Sequence, residues 1–171
     1  MTTLQTLAEL LAPWQSAYGN SKTLDTGVTF VHLASLLFGG GFAVAADRTV
    51  LRAARAANDV RRGALDALRS THRPVLVALT FSFLSGLLLV TADIETFWSS
   101  PVYWVKMSLV TLLLANGWML RHTERAAMAM ADAGDAAGHD RLWGRLRLTA
   151  WLSMLLWASV VLAGTTLVNA A

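Results

Sequence analysis

The sequence contains no cysteine, only three prolines and few charged residues. The absence of cysteine excludes disulfide bonds, iron–sulfur clusters and thiolate metal sites, so any metal chemistry must use histidine, methionine, carboxylates or a bound cofactor. Charged residues make up 15% of the 171 residues, whereas about 25% is usual in a soluble domain. Hydrophobic residues make up 55%, and this composition predicts a membrane protein.

The hydrophobic residues are concentrated in four stretches, each long enough to cross a bilayer core of about 30 Å as a helix. We predict membrane spans over residues 26–46, 74–94, 102–120 and 148–168. The second span is predicted to begin at Pro74, because proline is favoured in the first turn of a helix. The chain is therefore predicted to be all-α, an integral membrane four-helix bundle that forms a single domain.

Residues 1–20 carry leucines and a tryptophan at three- and four-residue spacing. This pattern predicts a short amphipathic helix that lies in the membrane interface. Pro13 and the Gly19-Asn20-Ser21 cluster are expected to break the chain before the first span. A secretory signal is the alternative interpretation, but the segment lacks a basic start and a continuous apolar stretch.

Twelve of the fourteen lysines and arginines lie in residues 47–73 and 121–147, which we predict as hydrophilic loops. Alanine in the first loop predicts that the first helix continues into it, and the second loop has a flexible A-D-A-G-D-A-A-G centre. The positive-inside rule places both loops in the cytoplasm and both termini outside, as in a bacterial inner-membrane protein. Because the basic residues report topology, the partner is the lipid bilayer and no nucleic acid is predicted.

One histidine and one lysine lie within the predicted spans, where an ionisable group is costly and needs a reason. His32 lies in the first span and Lys106 in the third, and we expect them at similar depth near the outer surface. His32 is interpreted as an axial ligand of haem iron, its other ring nitrogen being held by a serine or a backbone carbonyl. Gly39, Gly40 and Gly41 are expected to leave space beside it. The alternative is a histidine that only hydrogen-bonds a neighbouring helix.

Asp93, at the outer end of the second span, is the expected counter-charge for Lys106. The alternative for Lys106 is a lysine that extends its amine to the membrane surface without a partner.

Two further histidines, His72 and His122, are predicted at the cytoplasmic membrane surface, at the ends of the second and third spans. If adjacent helices bring them together, they could ligate a second haem or a metal. The alternative is that both are interfacial histidines that only mark the ends of the spans. His139 is placed in the flexible acidic loop and receives no role.

His32, the run Gly39–Gly41, Arg48 and the W-V-K-M motif at residues 104–107 resemble a group of small membrane proteins. This group is related to copper-resistance protein D and also includes the HemJ-type protoporphyrinogen oxidase. The likeness covers roughly residues 25–125. It implies haem b near His32 and a functionally important Lys106.

The resulting hypothesis is an integral membrane haem-b-type protein with a redox or haem-related role. If it is an enzyme, it is a membrane oxidoreductase acting on a lipid-soluble molecule such as a quinone or a porphyrin. The alternative from another class is a cofactor-free scaffold or a small-solute or copper permease. Small-residue helix faces also favour a homo-oligomer.

Overall fold

The structure is a computed structural model that describes the backbone of residues 3–170, and the side chains of these residues except 3–5, 136, 168 and 170. Within this part of the chain there is no strand, so the all-α prediction is confirmed. The six helices are α1 (Thr3–Gly19), α2 (Lys22–Ala53), α3 (Asn58–Ala92), α4 (Ile94–Ser99), α5 (Pro101–Asp132) and α6 (Ala136–Ala170).

Three of the long helices, α2, α3 and α6, are long and apolar enough to cross a membrane. They contain 32, 35 and 35 residues, which at about 1.5 Å per residue exceeds the thickness of a bilayer core. The helix α5, which covers the predicted third span, is not in this group, because Lys106, Asn116 and its aromatic residues make it less apolar. The span predicted over residues 102–120, and with it the total of four spans, therefore stays a prediction.

The long helices form two antiparallel hairpins. In the first, Arg61 of α3 donates to the Ala54 carbonyl near the end of α2, whereas Ser82 further along α3 lies beside His32, near the start of α2. In the second, α5 and α6 pack along most of their length, and α2 also packs against α6. Contacts between α3 and α5 are few, so the bundle is less tightly closed on that side.

The predicted loops at 47–73 and 121–147 are mostly helical, which corrects their assignment as loops. The connections between the paired helices are only residues 54–57 and 133–135. Each helix continues because alanines and leucines beyond the apolar stretch pack against the other helices. The turn between α5 and α6 is sharp because Gly134 adopts a φ of 74°, a conformation that glycine tolerates.

Pro74 and Pro13 do not mark helix boundaries as predicted. Pro74 lies inside α3, so the expectation that the span begins there is wrong. Leu68 and Ala78 are buried on either side of it, and this packing holds both halves of the helix in line. Pro13 lies inside α1 and does not end it. The helix α1 lies against the end of α3, where the Trp14 indole donates to the Leu88 carbonyl over 3.4 Å.

The two ends of the bundle differ in how they are packed. We call residues 47–73 and 121–147 the arginine-rich end, and the four predicted spans the apolar end. Most of the larger buried core lies in the arginine-rich end, including Val50, Leu65 and Trp143. At the apolar end large side chains point outward, and Phe30 and Leu37 are 69% and 73% exposed. Such a surface suits contact with lipid rather than water.

Candidate functional site

The His32 ring lies between α2 and α3 and is held through one nitrogen. Its Nδ1 is 3.0 Å from the Ser82 carbonyl oxygen and 3.2 Å from the Ser85 hydroxyl oxygen. Because a carbonyl only accepts hydrogen bonds, Nδ1 carries the proton and donates it. In the neutral ring the lone pair is then on Nε2, which makes no hydrogen bond to any described residue.

A glycine of α3 allows this close approach. A Cβ atom on Gly86 would lie 3.1 Å from Cε1 of His32, which is closer than nearly all real contacts of that kind. The ring therefore rests on bare backbone, and any larger residue at position 86 would displace it.

Lys106 reaches the same region from α5. Its ammonium nitrogen lies 3.7 Å from where a Cβ atom on Gly164 of α6 would be. No hydrogen bond or ion pair joins Lys106 to His32, which lies 74 positions earlier in the sequence.

Asp93 does not pair with Lys106 as expected. Its carboxylate oxygen Oδ1 instead accepts a hydrogen bond from the backbone N–H of Thr96 over 3.3 Å. The short helix α4 begins directly after Asp93, and an aspartate is a favoured N-cap. Lys106 forms no ion pair with any described side chain.

The glycine run does not leave the expected space. Cβ atoms on Gly39 and Gly40 would lie 3.5 Å and 3.1 Å from the Trp157 ring of α6, and one on Gly39 would also meet Ala78. These two glycines are therefore occupied by helix packing, since small residues let a neighbouring side chain approach the backbone. Around Gly41, by contrast, a Cβ atom would meet nothing within 4 Å.

His72 and His122 have separate partners rather than a shared site. Nε2 of His72 lies 2.5 Å from a carboxylate oxygen of Glu124, which is buried. His122 is exposed and packs edge-on against the Trp118 ring at a centroid distance of 5.0 Å. Among the residues that the structure describes, no group of three or more His, Cys, Asp or Glu side chains could hold a metal ion.

The predicted position of His139 is wrong. His139 lies in the first turns of α6 rather than in a flexible loop, and it is buried. Its Nε2 accepts from the Trp143 indole over 2.8 Å, and its Nδ1 donates to the Ala127 carbonyl over 3.1 Å. The four-residue spacing of His139 and Trp143 was the available signal. Both ring nitrogens are used, so this histidine fastens α6 to α5.

No family model, curated protein or solved structure matches this chain. The resemblance to copper-resistance protein D and the HemJ-type oxidase thus stays a prediction, carried by residues 25–125 alone. Function must be argued from the site.

The His32 site fits an iron ligand in its donor chemistry. A ligating histidine typically donates its other ring N–H to a carbonyl, which fixes the tautomer and the ring orientation. Ser82 supplies that carbonyl here, and Nε2 keeps its lone pair. The space predicted beside Gly39 and Gly40 is filled by Trp157, so these glycines are not part of a porphyrin cradle.

Proposed function

We propose that this chain is an integral membrane haem-b-type protein with a redox or haem-related role, in which His32 ligates the iron through Nε2. The observation that supports this most strongly is the fixed tautomer of His32, with Nδ1 held by the Ser82 carbonyl and the Ser85 hydroxyl. When bound, haem would supply one-electron chemistry at its iron.

The residues around His32 have distinct parts in this proposal. Ser82 and Ser85 orient the ring, and Gly86 lets it seat against α3. Lys106, near the outer end of the predicted third span, would provide a positive charge that suits a porphyrin carboxylate.

The proposal includes four spans, with the arginine-rich end in the cytoplasm and both termini outside. Both short connections, at residues 54–57 and 133–135, lie at the arginine-rich end, which puts the start of α2 and the end of α6 at the opposite end. Twelve of the fourteen basic residues are on the side of these connections, and such a bias sets orientation in membrane proteins.

A cofactor-free scaffold or permease is the second candidate, and one observation favours it. The contact of Trp157 with Gly39 and Gly40 shows that this small-residue surface serves helix packing. In that case His32 only links α2 to α3 by hydrogen bonds.

An absorption spectrum separates the two candidates. The full chain is expressed with a haem precursor, purified in detergent and compared with the variants His32→Ala and His122→Ala. We expect a Soret band in the wild type and its loss in His32→Ala. His122→Ala should keep the band, because His122 is exposed and is not a ligand in this proposal. A colourless wild-type protein would refute the haem proposal, as would an unchanged band in His32→Ala.

A further inference from the structure

A second site lies where the two ends of the bundle meet. A cavity of about 230 Å³ opens between α3 and α5, on the side where these helices make few contacts. Its walls are mostly apolar and include Leu76, Leu79, Leu113 and Trp157. The four long helices all contribute to it, and it is separate from the surroundings of His32.

The polar group of this cavity is Asp47 of α2. Its side chain is only 1% exposed, and its Oδ2 has no hydrogen-bond partner among the described residues. Ser153 of α6 also lines the cavity. A buried carboxylate without a cationic partner is strongly unfavourable, so a proton or a cation must compensate it.

The other charged groups nearby do not supply that compensation. Glu124, the other fully buried carboxylate of the described residues, is paired with His72, which itself lines the cavity. Arg121 also lines the cavity, but it forms no ion pair with Asp47 within 4.0 Å. Asp47 is therefore a buried acidic group without an ion-pair partner in a mostly apolar cavity.

We propose that this cavity binds a small organic cation, a protonated primary amine carrying a compact apolar body. The ammonium group would donate to Asp47, and the apolar body would contact the leucines and the Trp157 ring, whose face also attracts cations. The volume limits the ligand, because drug-sized molecules occupy pockets of roughly 300 Å³ or more. The proposal does not depend on haem at His32.

The test is a calorimetric titration of benzylamine into the purified full chain in a non-ionic detergent. Benzyl alcohol, which has the same shape without the charge, is the matched ligand. We expect saturable binding of benzylamine and none of benzyl alcohol. In Asp47→Asn the affinity for benzylamine should fall by about tenfold or more, since a charge-assisted hydrogen bond is lost. Asp66→Asn, at an exposed carboxylate, should bind as the wild type does.

A second variant tests the cavity without removing the carboxylate. Gly117 lines the cavity, and a Cβ atom there would meet nothing within 4 Å, so Gly117→Leu adds a side chain at the cavity wall without a clash at Cβ. We expect Gly117→Leu to lose benzylamine binding. If Asp47→Asn does not fold, this variant alone tests whether benzylamine binds in the cavity. The proposal is overturned if the wild type does not bind benzylamine, if benzyl alcohol binds equally, or if binding survives in both folded variants.

Discussion

The arginine-rich end and the apolar end of this bundle differ in where their large hydrophobic side chains point. The arginine-rich end buries an alanine- and leucine-rich core around Trp143 and closes it with the His139 hydrogen bonds. The apolar end has a small core of Leu113, Leu156, Trp157 and Val160, and it turns its phenylalanines and most of its leucines outward. A helix that is hydrophobic all round must be covered by protein or by lipid.

The difference in packing does not extend to the buried polar atoms. Among the described residues, Asp47 Oδ2 and Arg61 Nε in the arginine-rich end and Asn116 Oδ1 at the apolar end have no hydrogen-bond partner. At the apolar end, Nε2 of His32 also lacks one. Asp47 Oδ2 and His32 Nε2 are the atoms to which our two proposals assign a ligand.

The largest expected effect comes from removing the centre of the arginine-rich core. Trp143→Ala deletes a 2% exposed ring, its hydrogen bond to His139 and its contact with the Arg61 guanidinium at 5.3 Å. We expect the free energy of unfolding to fall by about 3–5 kcal/mol, the usual cost of such a deletion. Unfolding in mixed micelles with increasing SDS measures it.

Trp151→Ala is the matched control at the apolar end, where the ring is 55% exposed. Its effect should stay below about 1 kcal/mol, because little protein contact is lost. Equal losses for Trp143→Ala and Trp151→Ala would show that the two ends are not packed differently.

A smaller loss of unfolding free energy is expected where the two ends of the bundle meet. His72→Ala leaves Glu124 buried without its partner, and breaking such a pair typically costs about 3 kcal/mol. The double variant His72→Ala, Glu124→Leu should recover much of this loss, because the unpaired acid is gone. His122→Ala, at an exposed ring, should be near neutral in the same unfolding assay. No recovery in the double variant would mean that the cost does not come from the orphaned carboxylate.

The smallest effect compares two neighbouring glycines of α2. In Gly40→Ala the new Cβ would lie 3.1 Å from the Trp157 ring, so we expect destabilisation of about 1 kcal/mol from overpacking. In Gly41→Ala the Cβ meets nothing, so the better helix propensity should stabilise by about 0.5–1 kcal/mol. The same sign for both variants in the unfolding assay would contradict the account of the glycine run.

Much of this architecture could be predicted from the sequence. The long uncharged stretches predict the apolar helices, and counting residues from the same end of the bundle predicts similar depths for His32 and Lys106. The extent of the helices was harder to predict, because Pro74 stops a helix locally but α3 is held on both sides of it by packing.

The side-chain partners could not be predicted. Whether Gly39 and Gly40 face a ligand or Trp157 depends on how α6 is rotated, and sequence spacing does not specify that rotation. Charge and position at the outer end of the second span predict Asp93 as the partner of Lys106, but the backbone N–H of Thr96 is available to it without any tertiary contact. The buried position of Asp47 requires four helices to converge, which no single segment reveals.

The absence of native cysteine allows a direct measurement of how the two ends are placed. Ser99→Cys introduces a thiol at the end of α4, and Ala133→Cys introduces one in the connection between α5 and α6; both positions are exposed. The variants are treated with a membrane-impermeant maleimide in sealed spheroplasts of an expressing bacterial host. We expect labelling of Ser99→Cys in sealed cells and of Ala133→Cys only after permeabilisation. Labelling of both in sealed cells, or the reverse pattern, would contradict a bilayer between the two ends with the arginine-rich end in the cytoplasm.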